Sequence, residues 1–252
     1  MTNKLIYFVA NWKMFGSIAS ISIIKKIGHF LIAFRRLKKI KIVFCLPYTL
    51  IYLFSQKNRA SNISIGAQNC HQSQNYGALT GRINASMIKN AGAKYIILGH
   101  SENRSDGDSN KIIKEKIFSS LNEKLNVIFC IGETLSEKKN KKTFNVLRKQ
   151  INSSLKKKMN FNKIIIAYEP IWSIGTGRTL NSKDLIRIFK FISRHMKKNF
   201  KIKKSPILLY GGSVNQRNIK LFSNIPMIDG FLIGGSSQSS KKLIDIIKNY
   251  YK

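Results

Sequence analysis

Residues 164–178 read Ile-Ile-Ile-Ala-Tyr-Glu-Pro-Ile-Trp-Ser-Ile-Gly-Thr-Gly-Arg, and the rest of the chain repeats their order of strand, strand end and loop. The run Ile164–Tyr168 lacks polar alternation, which predicts a strand that is buried on both faces. Glu169 stands at the carboxyl end of this strand, and Pro170 restricts its backbone to extended angles. A tryptophan and two glycines follow, so residues 170–177 have the composition of a lid, although an ordinary connecting loop uses similar residues. The stretch therefore predicts a positioned carboxylate beside a candidate lid.

Short apolar runs alternate with longer, lysine-rich amphipathic stretches on both sides of this segment. The predicted strands are Leu5–Ala10, Ile40–Cys45, Ile63–Ala67, Tyr95–Leu98, Asn126–Cys130, Ile164–Tyr168, Ile207–Tyr210 and Gly230–Ile233. The predicted helices are Ile18–Leu37, Thr49–Gln56, Ala85–Asn90, Asn110–Asn122, Lys142–Lys157, Ser182–Lys198, Gln216–Phe222 and Ser240–Tyr250. Repeated strand–helix alternation with apolar strands is what a parallel barrel requires. We therefore expect an α/β protein in which residues 1–252 form a single-domain (β/α)8 barrel.

A doubly wound open sheet is the alternative architecture. It fits less well, because residues 11–16 after the first strand, Asn-Trp-Lys-Met-Phe-Gly, are not a glycine-rich dinucleotide-binding turn. Polar and glycine residues follow most of the predicted strands, and in a barrel those positions meet at one rim. They are Asn11, Lys13, Asn69, His100, Glu133, Glu169, Gly211, Gly212, Ser213, Gly234 and Gly235.

The composition is strongly basic, with 45 Lys+Arg against 11 Asp+Glu and a formal net charge of +34. Such a charge is typical of proteins that bind nucleic acid or anionic membranes. The lysines are spread along the chain, however, which favours compositional drift, and we expect no specific nucleic-acid partner. No apolar run approaches transmembrane length, so no membrane partner is expected either.

The cysteines Cys45, Cys70 and Cys130 are odd in number and widely spaced, which fits neither a disulfide framework nor a metal site. The apolar stretch near the N-terminus is too short for a secretory signal. These features predict a cytoplasmic protein.

The rim residues carry recognisable chemistry. Lys13 can neutralise a bound anion, and His100 directly follows the fourth strand. Ser101 is the expected N-cap of a short helix, whose positive end would disfavour the imidazolium form of His100. A neutral imidazole can donate a hydrogen bond to a substrate oxygen, although a structural histidine bound to a carbonyl is the alternative. Glycine-rich loops after the last three strands can hold a phosphate through backbone N–H groups.

Taken together and in order, these motifs resemble the triosephosphate isomerase family over essentially the whole chain. The matching stretches are Asn11–Met14, Gly66–Asn69, Gly99–Glu102, Cys130–Thr134, Ala167–Gly177, Tyr210–Val214 and Asp229–Gly235. The resemblance implies a homodimeric isomerase of glycolysis and gluconeogenesis with a TIM-barrel fold. It implies a triose phosphate substrate, dihydroxyacetone phosphate or glyceraldehyde 3-phosphate, and neither a metal nor an organic cofactor.

The resemblance also implies a role for each matching residue. Glu169 is the base that moves the proton, and His100 is the electrophile that polarises the carbonyl. Lys13 offsets negative charge and Asn11 lines the site. Backbone N–H groups at Gly175, Ser213, Gly234 and Gly235 are expected to hold the phosphate, and Ser101, Cys130 and a buried Glu102 behind Lys13 to support the site.

The chain departs from the family pattern at Phe15, Arg82, Asn103, Ser109 and Lys138. Three of these, Arg82, Asn103 and Ser109, lie in or beside the usual dimer contact, so the strength of the dimer is in question. Two other functions are consistent with parts of the sequence. A different phosphate-binding barrel enzyme such as an aldolase would need a Schiff-base lysine at a strand end, and strands five to eight offer none there. A nucleic-acid-binding protein would need a charged stripe with interleaved aromatic residues.

Overall fold

A computed structural model describes residues 4–34, 39–58 and 63–252. Its strands are β1 (Ile6–Asn11), β2 (Ile40–Leu46), β3 (Ile63–Ala67), β4 (Tyr95–Leu98), β5 (Asn126–Ile131), β6 (Ile164–Tyr168), β7 (Ile207–Tyr210) and β8 (Gly230–Ile233). Each strand pairs in parallel with the next, and β1 also pairs with β8, so the sheet closes into a barrel. The predicted (β/α)8 TIM barrel is confirmed, and every strand bound lies within one residue of its prediction.

Helices follow the strands and cover the outside of the barrel. They are α1 (Ile21–Phe34), α2 (Tyr48–Lys57), α3 (Ala85–Asn90), α4 (Ser101–Ser105), α5 (Asn110–Asn122), α6 (Leu135–Lys139), α7 (Thr143–Ser154), α8 (Ser182–Phe200) and α9 (Ser240–Tyr250). Short 3-10 turns occupy Ile18–Ser20, Phe161–Lys163, Ile171–Ser173, Ile219–Phe222 and Gly235–Gln238. Within the described ranges, no helix combines the length and apolar character needed to cross a membrane.

Two helix predictions need correction, and one cannot be compared in full. The helix predicted over Gln216–Phe222 is only the 3-10 turn, because the Asn215 side chain accepts hydrogen bonds from the backbone N–H groups of residues 217 and 218 and caps the segment locally. The helix predicted to reach Lys157 ends at Ser154, where the next residue is extended. The predicted end at Leu37 lies outside the described residues.

On every strand except β3, side chains alternate between two apolar clusters, and this alternation positions the site. On β6, Ile165 and Ala167 belong to the smaller cluster, which fills the barrel interior, whereas Ile166 and Tyr168 belong to the larger cluster beneath the helices. Glu169 is two residues after Ala167, so its side chain lies on the same inner face and at the mouth of the barrel. Asn11 continues the phase of Val9 on β1 in the same way.

Candidate active site

Glu169 lies at the mouth of the barrel and is only 3% exposed. Its backbone N–H donates to the carbonyl of Ile131 at 2.8 Å, which ties it to the end of β5. Two glycines make room for it. A Cβ atom on Gly132 would overlap the Glu169 carbonyl, and one on Gly211 would lie 2.6 Å from Glu169 Cγ. The carboxylate is therefore held in a slot that larger neighbours would close.

The carboxylate lies beside His100 and the thiol of Cys130, and one of its oxygens is unpartnered. Its Oε1 lies 3.4 Å from Nε2 of His100, and both side chains are buried. Among the described residues, Oε2 has no hydrogen-bond partner despite being buried. An unpartnered buried carboxylate oxygen is costly for stability, and such a cost points to function. The group is placed to accept a proton from a bound molecule.

His100 is the N-cap of α4, and Ser101 is the first residue of that helix, so the prediction of Ser101 as the cap is wrong. The Nδ1 atom of His100 accepts a hydrogen bond from the backbone N–H of Glu102 at 3.2 Å. Because Nδ1 serves as an acceptor, Nε2 carries the N–H of the ring. The ring therefore presents an N–H donor toward Glu169 and the mouth of the barrel.

Lys13 follows β1 and has the left-handed backbone angle φ 56°, which is uncommon outside glycine. Its N–H donates to Asn11 Oδ1 at 3.1 Å, and its carbonyl accepts from Gln68 at 3.0 Å. The Nζ atom forms a 2.6 Å ion pair with Glu102. The Glu102 side chain is 56% exposed, so the prediction that it is buried is wrong for the subunit by itself.

A cavity of about 450 Å³ opens beside these side chains, and Glu169 is not among the residues that line it. Asn11, Lys13, His100 and Glu102 all line it. Gly234, after β8, approaches from the other side, since a Cβ atom there would lie 3.6 Å from Lys13 Cε. With Glu169 after β6, residues from the ends of β1, β4, β6 and β8 therefore lie at one rim.

Cys130 lies beneath Glu169 and is 1% exposed. Burial raises the pKa of its thiol well above the usual value, and the charge of Glu169 raises it further. The thiol therefore stays protonated and neutral. It forms part of the floor under the carboxylate rather than a reactive group.

The four residues predicted to bind phosphate lie in different surroundings. Gly235 opens the 3-10 turn that follows β8, and Gly234 caps it, so both lie where backbone N–H groups point toward a ligand. The N–H of Ser213 donates to Ser173 Oγ at 3.2 Å. Gly175 lies on the exposed candidate lid with φ 70°. The structure therefore brings Gly234 to the site, whereas Ser213 N–H is engaged with the lid.

The candidate lid is fastened to Glu133, which the sequence singled out only by position. Trp172 Nε1 donates to Glu133 Oε1 at 3.0 Å, and the Tyr168 hydroxyl donates to both Glu133 oxygens at 3.1 Å. Burial raises the pKa of Glu133, and these hydrogen bonds oppose that rise. Lys138 Nζ lies 3.4 Å from the centre of the Trp172 ring. The start of the lid is thus held by a small polar network.

Two further contacts were missed at the sequence level. The Tyr210 hydroxyl accepts from the backbone N–H of Leu180 at 3.3 Å, which anchors the far end of the lid. Arg104 donates to the carbonyls of Gly99 and Cys130 at 2.7 and 3.2 Å, joining α4 to the residue after β4 and to the end of β5. The sequence motifs include Tyr210 but do not reveal either contact, because the partners of both side chains are backbone atoms.

A buried carboxylate, an imidazole donor and a lysine at the mouth of a parallel barrel define an enzyme that moves protons on an anionic substrate. A family model described as Triosephosphate isomerase matches residues 6–250, and the chain belongs to this family of isomerases. The triosephosphate isomerase of Dictyoglomus thermophilum is 36% identical over 254 residues, covering 99% of this chain and all of that protein. The protein of the same name from Borrelia garinii is 37% identical, covering 96% and 98%.

A solved structure has the same architecture. The triosephosphate isomerase of Bartonella henselae superposes with a TM-score of 0.88 at 33% identity, covering 98% of this chain and 99% of that chain. Neither an aldolase nor a nucleic-acid-binding protein is favoured by these matches.

Proposed function

We propose that this site interconverts dihydroxyacetone phosphate and D-glyceraldehyde 3-phosphate by moving one proton between adjacent carbons through an enediol or enediolate. The observation that carries the proposal is Glu169, a buried carboxylate with an unpartnered oxygen beside the Nε2 atom of His100. The family supplies the reaction class, and the residue roles are inferred from this geometry.

Glu169 acts as the base. Its Oε2 takes the proton from the substrate carbon next to the carbonyl and returns it to the neighbouring carbon. Gly132 lies against the Glu169 backbone and Gly211 against its side chain, and this close packing limits the reorganisation needed at the moment of transfer. A glutamate base beside a neutral histidine is the known arrangement in triosephosphate isomerases.

His100 and Lys13 stabilise the charge that develops on the substrate oxygens. The Nε2–H of His100 donates to the oxygen that becomes negative as the proton leaves. Lys13 adds positive charge at the same cavity, and its ion pair with Glu102 limits the directions its Nζ can take. Donors placed before the reaction lower the energy of the enediolate without reorganisation. Asn11 orients Lys13 through the bond to its backbone N–H.

The phosphate end of the substrate is assigned to Gly234, Gly235, Ser213 and Gly175. The N–H groups at the start of the turn Gly235–Gln238 point outward from the turn and suit a phosphate. Movement of the lid would release the Ser213 N–H from Ser173 and bring Gly175 over the ligand. Phosphate binding then contributes energy to lid closure, which keeps water away from the enediolate.

The direct test is the reaction itself. We expect the purified protein to convert D-glyceraldehyde 3-phosphate into dihydroxyacetone phosphate in a coupled assay. Because His100 and Lys13 supply the electrophilic groups, we expect a chelator to leave the rate unchanged. A folded protein without turnover would contradict the proposed function, and loss of turnover on chelation would contradict the residue roles.

We also propose that the enzyme is a homodimer that assembles through the loops after the first three strands. The apolar side chains that would be covered protrude from these loops and their neighbours. They include Met14, Ile18, Tyr76, Leu79 and Met87, which are between 40% and 101% exposed. Asn103 donates to the carbonyl of Gln68 at 3.4 Å, and Glu102 is paired with Lys13. Neither is therefore available as a polar partner for Arg82, and the dimer depends mainly on apolar burial.

The dimer should respond to dilution, salt and one loop substitution. We expect subunits carrying +34 each to repel more at low salt, since the Debye length grows from about 10 Å at 0.1 M to about 30 Å at 0.01 M. Leu79→Asp should produce monomers, because it places a charge in the covered loop, whereas Leu221→Asp, at another exposed leucine, should not. Sedimentation over a dilution series measures both effects. A fully active monomer at working concentrations, or a dimer that tightens as salt is removed, would contradict the proposal.

Two broader assignments belong to the same proposal. Strands from near both ends of the chain join in one barrel, which supports a single domain over residues 1–252. The three cysteines are buried and unpaired, as expected in a reducing compartment, and this supports a place in the cytoplasm among the reactions of glycolysis.

A further inference from the structure

The outer face of α8 carries six exposed cationic side chains, which we call the α8 stripe: Lys183, Arg187, Lys190, Arg194, Lys197 and Lys198. In the sequence they are separated by apolar residues, but intervals of three and four bring them onto one side of the helix. At 1.5 Å per residue the stripe is about 22 Å long. Folding thus produces a continuous line of positive charge that the even spread of lysines along the chain does not reveal.

Two aromatic rings lie beside the stripe. Phe144 of α7 and Phe191 of α8 are partly exposed, and their ring centres are 4.8 Å apart. Together with five members of the stripe they line a cavity of about 530 Å³. The guanidinium of Arg187 lies 5.2 Å from the Phe144 ring, and that of Arg148 lies 5.5 Å from Phe191. The guanidinium groups of Arg187 and Arg148 thus lie beside the two rings, and the ring of His195 stacks on Phe191 at 5.6 Å.

The positive charge of this groove has little compensation. None of the residues that line the cavity is acidic. The one acidic residue in the sequence of α8 is Asp184, in the first turn of the helix. Its carboxylate accepts a hydrogen bond from Asn181 Nδ2, and its backbone N–H donates to Asn181 Oδ1. A line of uncompensated cations beside aromatic planes matches an anion that carries both repeated phosphates and flat bases.

We propose that the α8 stripe and the adjoining Phe144 and Phe191 bind single-stranded nucleic acid without sequence preference. The phosphates lie along the cations, and bases stack on the rings and guanidinium planes. The length of the stripe suits about four nucleotides, the lower end of the range for such grooves. The site is separate from the catalytic residues, because α8 covers the outside of the barrel and those residues lie at its mouth.

The groove suits a nucleic acid better than an anionic membrane. A membrane-binding helix buries exposed apolar side chains in the lipid, but none of the strongly exposed large apolar residues lies on α8. The apolar face of α8 is used inside the protein, with Leu185, Phe189 and Ile192 buried against the barrel. The groove also stays open in the proposed dimer, since β6 and β7 lie across the barrel from β2 and β3.

The test compares two variants that lose the same charge. The first combines Arg187→Gln, Lys190→Gln and Arg194→Gln in the stripe, and the second combines Lys25→Gln, Lys26→Gln and Lys241→Gln on α1 and α9. Glutamine preserves helix propensity, so both variants should fold. We expect the first to bind a labelled single strand about tenfold more weakly at low salt, with a slope of log affinity against log salt reduced by about 2. The second should change affinity less than about threefold, and both should keep full isomerase activity.

A third variant and two further probes identify the occupant. Phe191→Leu should weaken binding of oligo(U) and oligo(dT) by about tenfold, and leave binding of inorganic polyphosphate unchanged. Equal weakening by the two triple variants would overturn the proposal, because net charge alone would then explain binding. Three other results would also overturn the proposal: no binding, equal affinity for polyphosphate and oligonucleotide, or stripe-dependent binding to anionic vesicles without binding to single strands. If a melting experiment shows that the triple variant is not folded at the assay temperature, Arg194→Gln alone is compared with Lys25→Gln as its control.

Discussion

Replacing Glu169 by glutamine is expected to lower kcat by about 10²–10⁴-fold, the range typical for loss of a general base. Glutamine keeps the size of the side chain and still offers an oxygen to His100, but an amide cannot take the substrate proton. The slot formed with Gly132 and Gly211 remains filled, so substrate binding should change little. The measurement is steady-state turnover of D-glyceraldehyde 3-phosphate in the coupled assay, with kcat and KM determined separately.

The stability of the same variant provides an independent check. Glu169 is 3% exposed and has an unpartnered oxygen, so the amide removes a costly buried charge. We expect a melting temperature equal to or above that of the wild type. Glu123→Gln, at the end of α5, is the matched control and should leave turnover unchanged. Wild-type turnover in Glu169→Gln would show that another group is the base.

The barrel could be predicted from the sequence because buried parallel strands leave a simple signal. A run such as Ile164–Tyr168 is apolar at every position, and its length fits a strand but not a helix. Short helices leave no comparable signal. The five-residue helix α6 is less than two turns long, too short to show helical periodicity. A helix was predicted over Gln216–Phe222, but only a 3-10 turn forms at Ile219–Phe222. The capping by Asn215 depends on side-chain geometry that composition does not encode.

Within the site, the sequence identified which groups meet but not how they are held. Strand ends converge in any parallel barrel, so Asn11, Lys13, His100 and Glu169 could be placed together before the structure was known. The exposure of Glu102 depends on packing of the loop after β4, and no residue pattern reports it. The contact between Glu133 and Trp172 likewise joins residues 39 positions apart through a single hydrogen bond. Such long-range polar contacts follow from the fold and could not precede it.

Replacing His100 by glutamine is expected to lower kcat by about 10²–10³-fold, as for loss of one donor to a developing oxyanion. The imidazole is fixed at both ends, since Nδ1 accepts from the Glu102 backbone and Nε2 faces Glu169 at 3.4 Å. Glutamine has a donor, but its flexible amide lacks the ring's second contact and would place that donor poorly. The loss should fall on kcat more than on KM, because the hydrogen bond strengthens as charge develops.

Two comparisons separate this role from a structural one. His29→Gln, on the exposed face of α1, should leave kcat unchanged and serves as the matched control. His100→Gln combined with Glu169→Gln should lose less than the product of the two single effects, because base and donor act on the same proton transfer. A His100→Gln variant with normal kcat but raised KM would mean that the ring only binds substrate. Multiplicative losses in the double variant would mean that the two residues act in separate steps, which the 3.4 Å approach of their side chains argues against.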